Sequence, residues 1–311
     1  MKKIGNTDVD VFPLCLGGNV FGWTADDRQS FAVLDAYAAA GGNFIDTADV
    51  YSAWVPGHSG GESETIVGRW MAARGNRRRM VVATKVGLKP GLEGLSAKTI
   101  RAAAEASLRR LQTDCIDLYY AHRDDEATPL EETLGAFGAL VREGKVRHIA
   151  ASNYTAARLA AALETSDREG TARYVAVQPH YNLVHREEYE GNLAALCAAQ
   201  GLSCIPYYAL AKGFLTGKYR PGSKIESARA KGAQVYLDTR GLRVLSTLDA
   251  IAAAHRTSVA AVSLAWLLCQ ANVAAPIASA RTPQQLAELL AVGALELAQA
   301  EVAALSDVTH G

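Results

Sequence analysis

Four residues far apart in this chain, Asp46, Tyr51, Lys85 and His122, stand at or just past the ends of short apolar runs. Together they offer a carboxylate, a phenol, an ammonium and an imidazole. A phenol with an unperturbed pKa near ~10 gives up its proton poorly at neutral pH. A buried cation beside it favours the phenolate and makes the phenol a better acid. Lys85 lies in the apolar run Val81-Val82-Ala83-Thr84-Lys85-Val86, where an unpaired ammonium is costly, and Asp46 is the partner that can keep it charged. His122 is then placed to donate a hydrogen bond to an oxygen of a bound molecule. Such a set is an acid catalyst with the groups that tune it. Singly, each residue has an ordinary structural explanation: Asp46 as a turn cap, Lys85 as a snorkelling chain, Tyr51 as a loop anchor, His122 as a satisfied core histidine. What separates the two readings is whether the fold brings the four together.

The elements that must do so are legible in the hydrophobic pattern. From residue 14 onward, short apolar runs alternate with segments of helical period, the mark of parallel strands joined by crossover helices. The pattern predicts strands at residues 14–16, 43–45, 81–86, 115–119, 148–151, 174–177, 203–206 and 274–277. Eight such units over 311 residues predict one (β/α)8 TIM barrel domain, residues 1–311. Ile100, Ala104, Leu108 and Leu111 share one helix face while Arg101, Glu105 and Arg109 fall elsewhere. Helix starts are expected at Ser96, at Thr128-Pro129 and at Thr282-Pro283. Before residue 14, Gly5-Asn6-Thr7 between short apolar pieces predicts a β-hairpin that plugs one end of the barrel. Residues 51–62 and 211–239 form connections longer than a plain barrel needs, as functional loops often do. Because a closed α/β barrel gathers its reactive groups at the carboxyl ends of its strands, Ser152, Asn153, Gln178, Tyr207 and Arg281 join the first four residues at one mouth.

Composition narrows the partners. Thirty-two basic residues balance thirty-two acidic ones, so no long-range field favours nucleic acid or an anionic membrane. No apolar stretch is long enough to span a bilayer, and the basic start Met1-Lys2-Lys3 leads into polar residues, unlike a secretory signal. The five cysteines are odd in number and scattered through apolar runs, which suits buried thiols in a reducing compartment and a cytoplasmic protein. The histidines at 58, 148, 180, 185, 255 and 310 show no spacing that assembles a ligand set with cysteine or carboxylate, so no metal is expected. Oligomeric state leaves no trace in the pattern.

The four residues and their surroundings resemble the aldo-keto reductases. Gly41-Gly42-Asn43-Phe44-Ile45-Asp46-Thr47-Ala48, followed by Tyr51 and then Gly61-Glu62-Ser63-Glu64, is similar to that family's first signature. Asp117-Leu118-Tyr119 before His122-Arg123-Asp124 resembles its second. The resemblance implies hydride transfer from a nicotinamide cofactor to a carbonyl carbon, with Asp46, Tyr51, Lys85 and His122 catalytic and Tyr51 protonating the oxygen. It also implies that Ser152, Asn153 and Gln178 meet the nicotinamide carboxamide and that Tyr207 lies flat against the ring. The stretch 207–219, with Leu210, Lys212, Gly213 and Lys218, resembles the segment that wraps the pyrophosphate. It departs from the family's usual Ser-Pro at Tyr208-Ala209. Ser279, Arg281, Gln285 and Glu288 resemble the adenosine site, where Leu289 replaces an asparagine common in relatives. A guanidinium there can grip a 2′-phosphate, so NADPH is the expected cofactor. No Gly-x-Gly-x-x-Gly run follows any strand, which disfavours the dinucleotide fold that uses that fingerprint.

The expected partner is a small-molecule aldehyde, ketone or sugar-like carbonyl. Phe21, Trp23, Trp54 and Arg123 are its candidate contacts, and aromatic walls would suit an apolar or sugar-ring substrate. Two other readings stand beside this one. One is a regulatory subunit that binds the cofactor and turns over slowly. The other is a hydrolase or lyase that uses Asp46 and His122.

Overall fold

In a strand covered on both faces every residue is buried, and Val81–Val86 is buried throughout. Seven further strands accompany it in the computed structural model, which describes every residue except 226, 227, 229, 310 and 311. In chain order the eight are Cys15–Gly17, Phe44–Asp46, Val81–Val86, Ile116–Ala121, Val146–Ser152, Tyr174–Gln178, Ser203–Cys204 and Ile277–Ala278. All pair in parallel, each with its neighbour in sequence, and the eighth pairs with the first. Hydrogen bonds from Cys204 N to Asn272 O (2.8 Å), Ala274 N to Cys204 O (3.0 Å) and Ile277 N to Pro206 O (2.9 Å) join the seventh to the eighth. The sheet therefore closes into a (β/α)8 barrel. The eighth strand is shorter than expected because Pro276 has no N–H to give to the ladder.

Alternation along each strand sorts the side chains into two apolar layers. Ile45, Val82, Val86, Tyr119, Ile149 and Val177 face the helices, while Cys15, Phe44, Ala83, Leu118, Tyr120, Ala150, Ala176, Ile205 and Ile277 fill the barrel. Continuing the inner series by two residues gives Gly17, Asp46, Lys85, His122, Ser152, Gln178, Tyr207 and Ser279. Period two thus delivers one polar or small residue per strand to the carboxyl mouth. The amino end is closed by the hairpin Lys2–Lys3 with Asp10–Val11, whose Ile4, Val9 and Val11 join the inner layer. Gly5 takes the left-handed conformation its turn requires (φ +51°).

Helix boundaries follow their caps. Ser96 Oγ accepts from Thr99 N and Thr282 Oγ1 from Gln285 N, with Pro283 in the first turn. Thr128 differs from expectation: its hydroxyl donates to Asp125 at 2.6 Å, and the helix Leu130–Arg142 begins after Pro129. The segment 211–239 contains a 3₁₀ turn, Ala211–Thr216, and a short helix, Ala230–Gln234. An antiparallel pair, Leu88–Lys89 with Leu92–Glu93, rises from the third strand end and was not foreseen. Among the described residues no single helix is long and apolar enough to cross a membrane.

Candidate active site

The inner-facing strand ends place Asp46 and Lys85 side by side, and the turn that follows Asp46 swings Tyr51 over them. Lys85 Nζ lies 2.6 Å from Asp46 Oδ2 and also donates to Thr47 O (2.8 Å) and Tyr51 Oη (2.9 Å), which uses all three of its protons. Tyr51 donates to the same Asp46 oxygen at 3.2 Å. The other Asp46 oxygen accepts from Gln178 Nε2 at 3.0 Å. Asp46 and Lys85 are 1% and 0% exposed. A pair this deep is tolerated because each remaining donor and acceptor is met. Next to Tyr51, Ser52 sits at φ +73°, held by a bond from its hydroxyl to Phe21 O (3.0 Å). Strain of this kind persists only where surroundings over-determine it.

The electrostatics differ from expectation in one respect. Burial, followed by Asp46, raises the Tyr51 phenol well above its usual range. The phenol therefore holds its proton through neutral pH. His122 is driven the other way: burial, then Lys85 and Arg123, hold its imidazole well below the usual range, so the ring is neutral. Its Nδ1 is buried without a hydrogen-bond partner, and its ring stands 6.2 Å from that of Tyr51.

Asp46, Tyr51 and His122 line one end of a cavity of about 710 Å³, with Trp23 and Trp54 forming its outer wall, edge to face at 5.5 Å. Lys85, fully buried against Asp46 and Tyr51, does not line the cavity. Farther along come Ser152, Asn153, Gln178 and Tyr207, knitted into the same network. Asn153 Nδ2 donates to His122 O (2.9 Å), Tyr207 Oη to Asn153 Oδ1 (2.8 Å) and Ser152 Oγ to Gln178 O (2.9 Å). Leu210, Lys212, Gly213 and Lys218 continue the trough, and Ser279, Arg281, Gln285 and Glu288 close its far end. Left-handed backbone gathers along this path at Asn153, Tyr208, Ala211, Lys212 and Gly213. Among the described residues no ion pair involves Lys212, Lys218 or Arg281. Two of them instead lie over rings, Lys212 over Tyr208 and Lys218 over Tyr219.

Two candidate substrate contacts fall elsewhere. Phe21 is fully buried in the core under the loop, and Arg123, one residue out of the inward series, is exposed; neither lines the cavity. Conversely, Gly17, Asn19 and Leu88 line it and were missed, Asn19 accepting from Ser279 Oγ at 2.7 Å. The strand-end rule applied to the first strand would have found Gly17 and Asn19. The expectation about histidines also needs correction. His180 and His185 come together beside Glu188, because a tight turn folds residues five apart into contact. His310 lies outside the described residues. All five cysteines are free, and Cys269 is exposed where burial was expected.

One buried acid near the site is poorly served. Both oxygens of Asp49 lack hydrogen-bond partners, while neighbouring Glu64 is held by Arg110 Nε and Thr84 Oγ1, each at 2.6 Å. Burial, and then Glu64, raise Asp49 to about 7. A carboxyl raised on folding contributes stability that is fully present below its unfolded value and is lost as pH climbs through the folded one. Urea denaturation should therefore show stability falling between about pH 4 and 7 by a few kcal/mol from this group. Asp49→Asn should flatten that decline; an unchanged slope in the variant would show that Asp49 is not its source.

This geometry can be set beside known proteins. The model of the Aldo/keto reductase family matches residues 13–309. Norsolorinic acid reductase stcV of Emericella nidulans is 32% identical over 96% of this chain and 78% of its own length. The uncharacterized oxidoreductase YrpG of Bacillus subtilis is 33% identical, covering 99% and 95%. A probable voltage-gated potassium channel subunit beta of Oryza sativa subsp. japonica is 32% identical, covering 92% and 89%. With the closed barrel, the inward Asp46–Lys85 pair under Tyr51 and a match that runs almost from end to end, the chain belongs to the aldo/keto reductase family.

Proposed function

We propose that this protein is an NADPH-dependent reductase of aldehydes or ketones, carried by one domain, with Tyr51 as general acid. The observation that carries this reading is the Tyr51 phenol, bonded to a buried Lys85–Asp46 pair, at the end of a trough lined by Lys212, Lys218 and Arg281, none of which forms an ion pair among the described residues. The trough fits a dinucleotide phosphate by its donor set: Lys212 and Lys218 at its middle, Arg281 at its far end, and Gly213 between them where the backbone can approach closely. NADPH, when bound, would supply the hydride.

The chain's own residues account for the rest. As a carbonyl oxygen gains charge, Tyr51 transfers its proton to it, and Lys85 stabilises the phenolate left behind. Asp46 keeps Lys85 charged, and neutral His122 donates a hydrogen bond to the same oxygen. Ser152, Asn153 and Gln178 offer both donors and acceptors to an amide, and the Tyr207 ring supplies a flat wall. Trp23 and Trp54 exclude water and favour a ring-bearing or apolar carbonyl. Free cysteines suit a reducing, cytoplasmic setting.

The rice relative's name favours a second reading, a slow regulatory subunit. The Tyr51 phenol bonded to the Lys85–Asp46 pair, with His122 lining the same end of the cavity, argues for turnover instead. A panel of aldehydes and ketones, followed by loss of NADPH near-ultraviolet absorbance, should reveal substrates. NADPH binding without oxidation across the panel would favour the regulatory reading, and no NADPH binding would overturn both.

A further inference from the structure

We propose that Gln178 is a positioning residue for the catalytic acid: it fixes the Asp46 carboxylate so that one oxygen serves Lys85 and Tyr51 together. The inference rests on the reading of Tyr51 as general acid. Pro179 restricts the residue before it to extended backbone, and Gln178 ends the sixth strand in register with Ser152. Its carbonyl accepts from Ser152 Oγ at 2.9 Å and from Asn153 N at 3.4 Å. The side chain, turned inward by the strand period, is 2% exposed.

The two Asp46 oxygens have different partners. Oδ2 takes Lys85 at 2.6 Å and Tyr51 at 3.2 Å, whereas Oδ1 has Gln178 Nε2 at 3.0 Å and no second donor among the described residues. Rotation of a carboxylate about its last bond is soft, so two bonds to one oxygen leave its plane free to swing, and the Gln178 donor pins it. Without that donor a buried, charged oxygen has no partner, and turning Asp46 to find one draws Oδ2 away from Lys85 and Tyr51. Gln178 also lines the cavity, and no described residue donates to its Oε1. One end of its amide is thus committed to Asp46 while the other stays free. The other titratable groups facing this contact are held neutral. Burial, and then Asp46, keep Cys15, Tyr51 and Tyr120 well above their usual ranges, and burial, then Lys85, keeps His122 well below its own.

Gln178→Met, close in length but unable to donate, should lower kcat for NADPH oxidation by roughly 10- to 100-fold, as small misplacements of catalytic groups do, and raise the NADPH dissociation constant by a smaller factor. A larger loss of affinity than of kcat would make Gln178 a cofactor contact only and overturn the proposal. Gln178→Glu gives a readout that needs no cofactor. Protonated, the new carboxyl donates to Asp46 as the amide does; ionised, it sets two carboxylates side by side. A carboxyl raised on folding contributes stability that is lost as pH climbs above its unfolded value. The urea midpoint of the Gln178→Glu protein should therefore lie near that of the wild type at about pH 5 and fall progressively below it toward about pH 8, and taking the difference cancels the decline from Asp49 that both proteins share. Adding Asp46→Asn leaves one carboxylate for Lys85 and should remove this deficit. A deficit independent of pH, or one that persists in the double variant, would overturn the assignment. Wild type that fails to oxidise NADPH would sink the reductase reading instead, while the urea comparison would still decide whether Gln178 holds Asp46.

Discussion

Tyr51→Phe should lower kcat for carbonyl reduction by about 10³-fold, within the range spanned by positioned general acids, while leaving NADPH affinity close to that of the wild type. The substitution removes one oxygen and keeps the ring, so the cavity wall between Trp54 and His122 stays in place. Beneath it, Lys85 keeps its 2.6 Å contact with Asp46 and its bond to Thr47 O, and Asp46 keeps Gln178. One proton of Lys85 loses its acceptor, a cost of about 1–3 kcal/mol. The fold should therefore survive and the loss should read as chemistry. Stopped-flow or steady-state NADPH oxidation measures the rate, and quenching of protein fluorescence measures binding. Turnover at the wild-type rate in Tyr51→Phe would remove Tyr51 as the acid.

Arg281→Ala should weaken NADPH by roughly 10- to 100-fold and leave NADH nearly untouched. A charge-assisted hydrogen bond contributes about 1.5–3 kcal/mol, and each 1.4 kcal/mol is tenfold in affinity. Arg281 is half-buried, its backbone N–H donates to Gln285 Oε1 at 3.0 Å, and none of the ion pairs among the described residues uses its guanidinium. Truncation consequently strands no buried carboxylate, and an effect on affinity reports on the ligand alone. Titration of both nucleotides against wild type and variant provides the test. Equal losses for NADPH and NADH would move the 2′-phosphate contact to another residue.

The two results probe opposite ends of one trough, and they separate chemistry from binding. Loss of rate with intact affinity at Tyr51, together with loss of phosphate discrimination at Arg281, fits a reductase. Intact discrimination with no turnover in the wild type fits a cofactor-binding subunit.

By itself the sequence determined the eight-unit barrel and most of its mouth. Strand alternation is a local rule, so Asp46, Lys85, His122, Ser152, Gln178, Tyr207 and Ser279 follow from counting two residues past each inner apolar position. Tertiary structure decided whatever depends on contacts between loops or on dielectric surroundings. Phe21 and Arg123 sit in loops and next to strand ends, where no period fixes direction, and one turned into the core while the other turned to solvent. The upward shift of the Tyr51 phenol rests first on its burial and then on the Asp46 carboxylate beside it, surroundings that only the folded chain supplies. The pairing of His180 with His185 depends on a turn locked by Asn182, and neither residue type nor spacing announces that lock. Periodicity says which way a strand residue points; only packing says what it meets there and what charge it then carries.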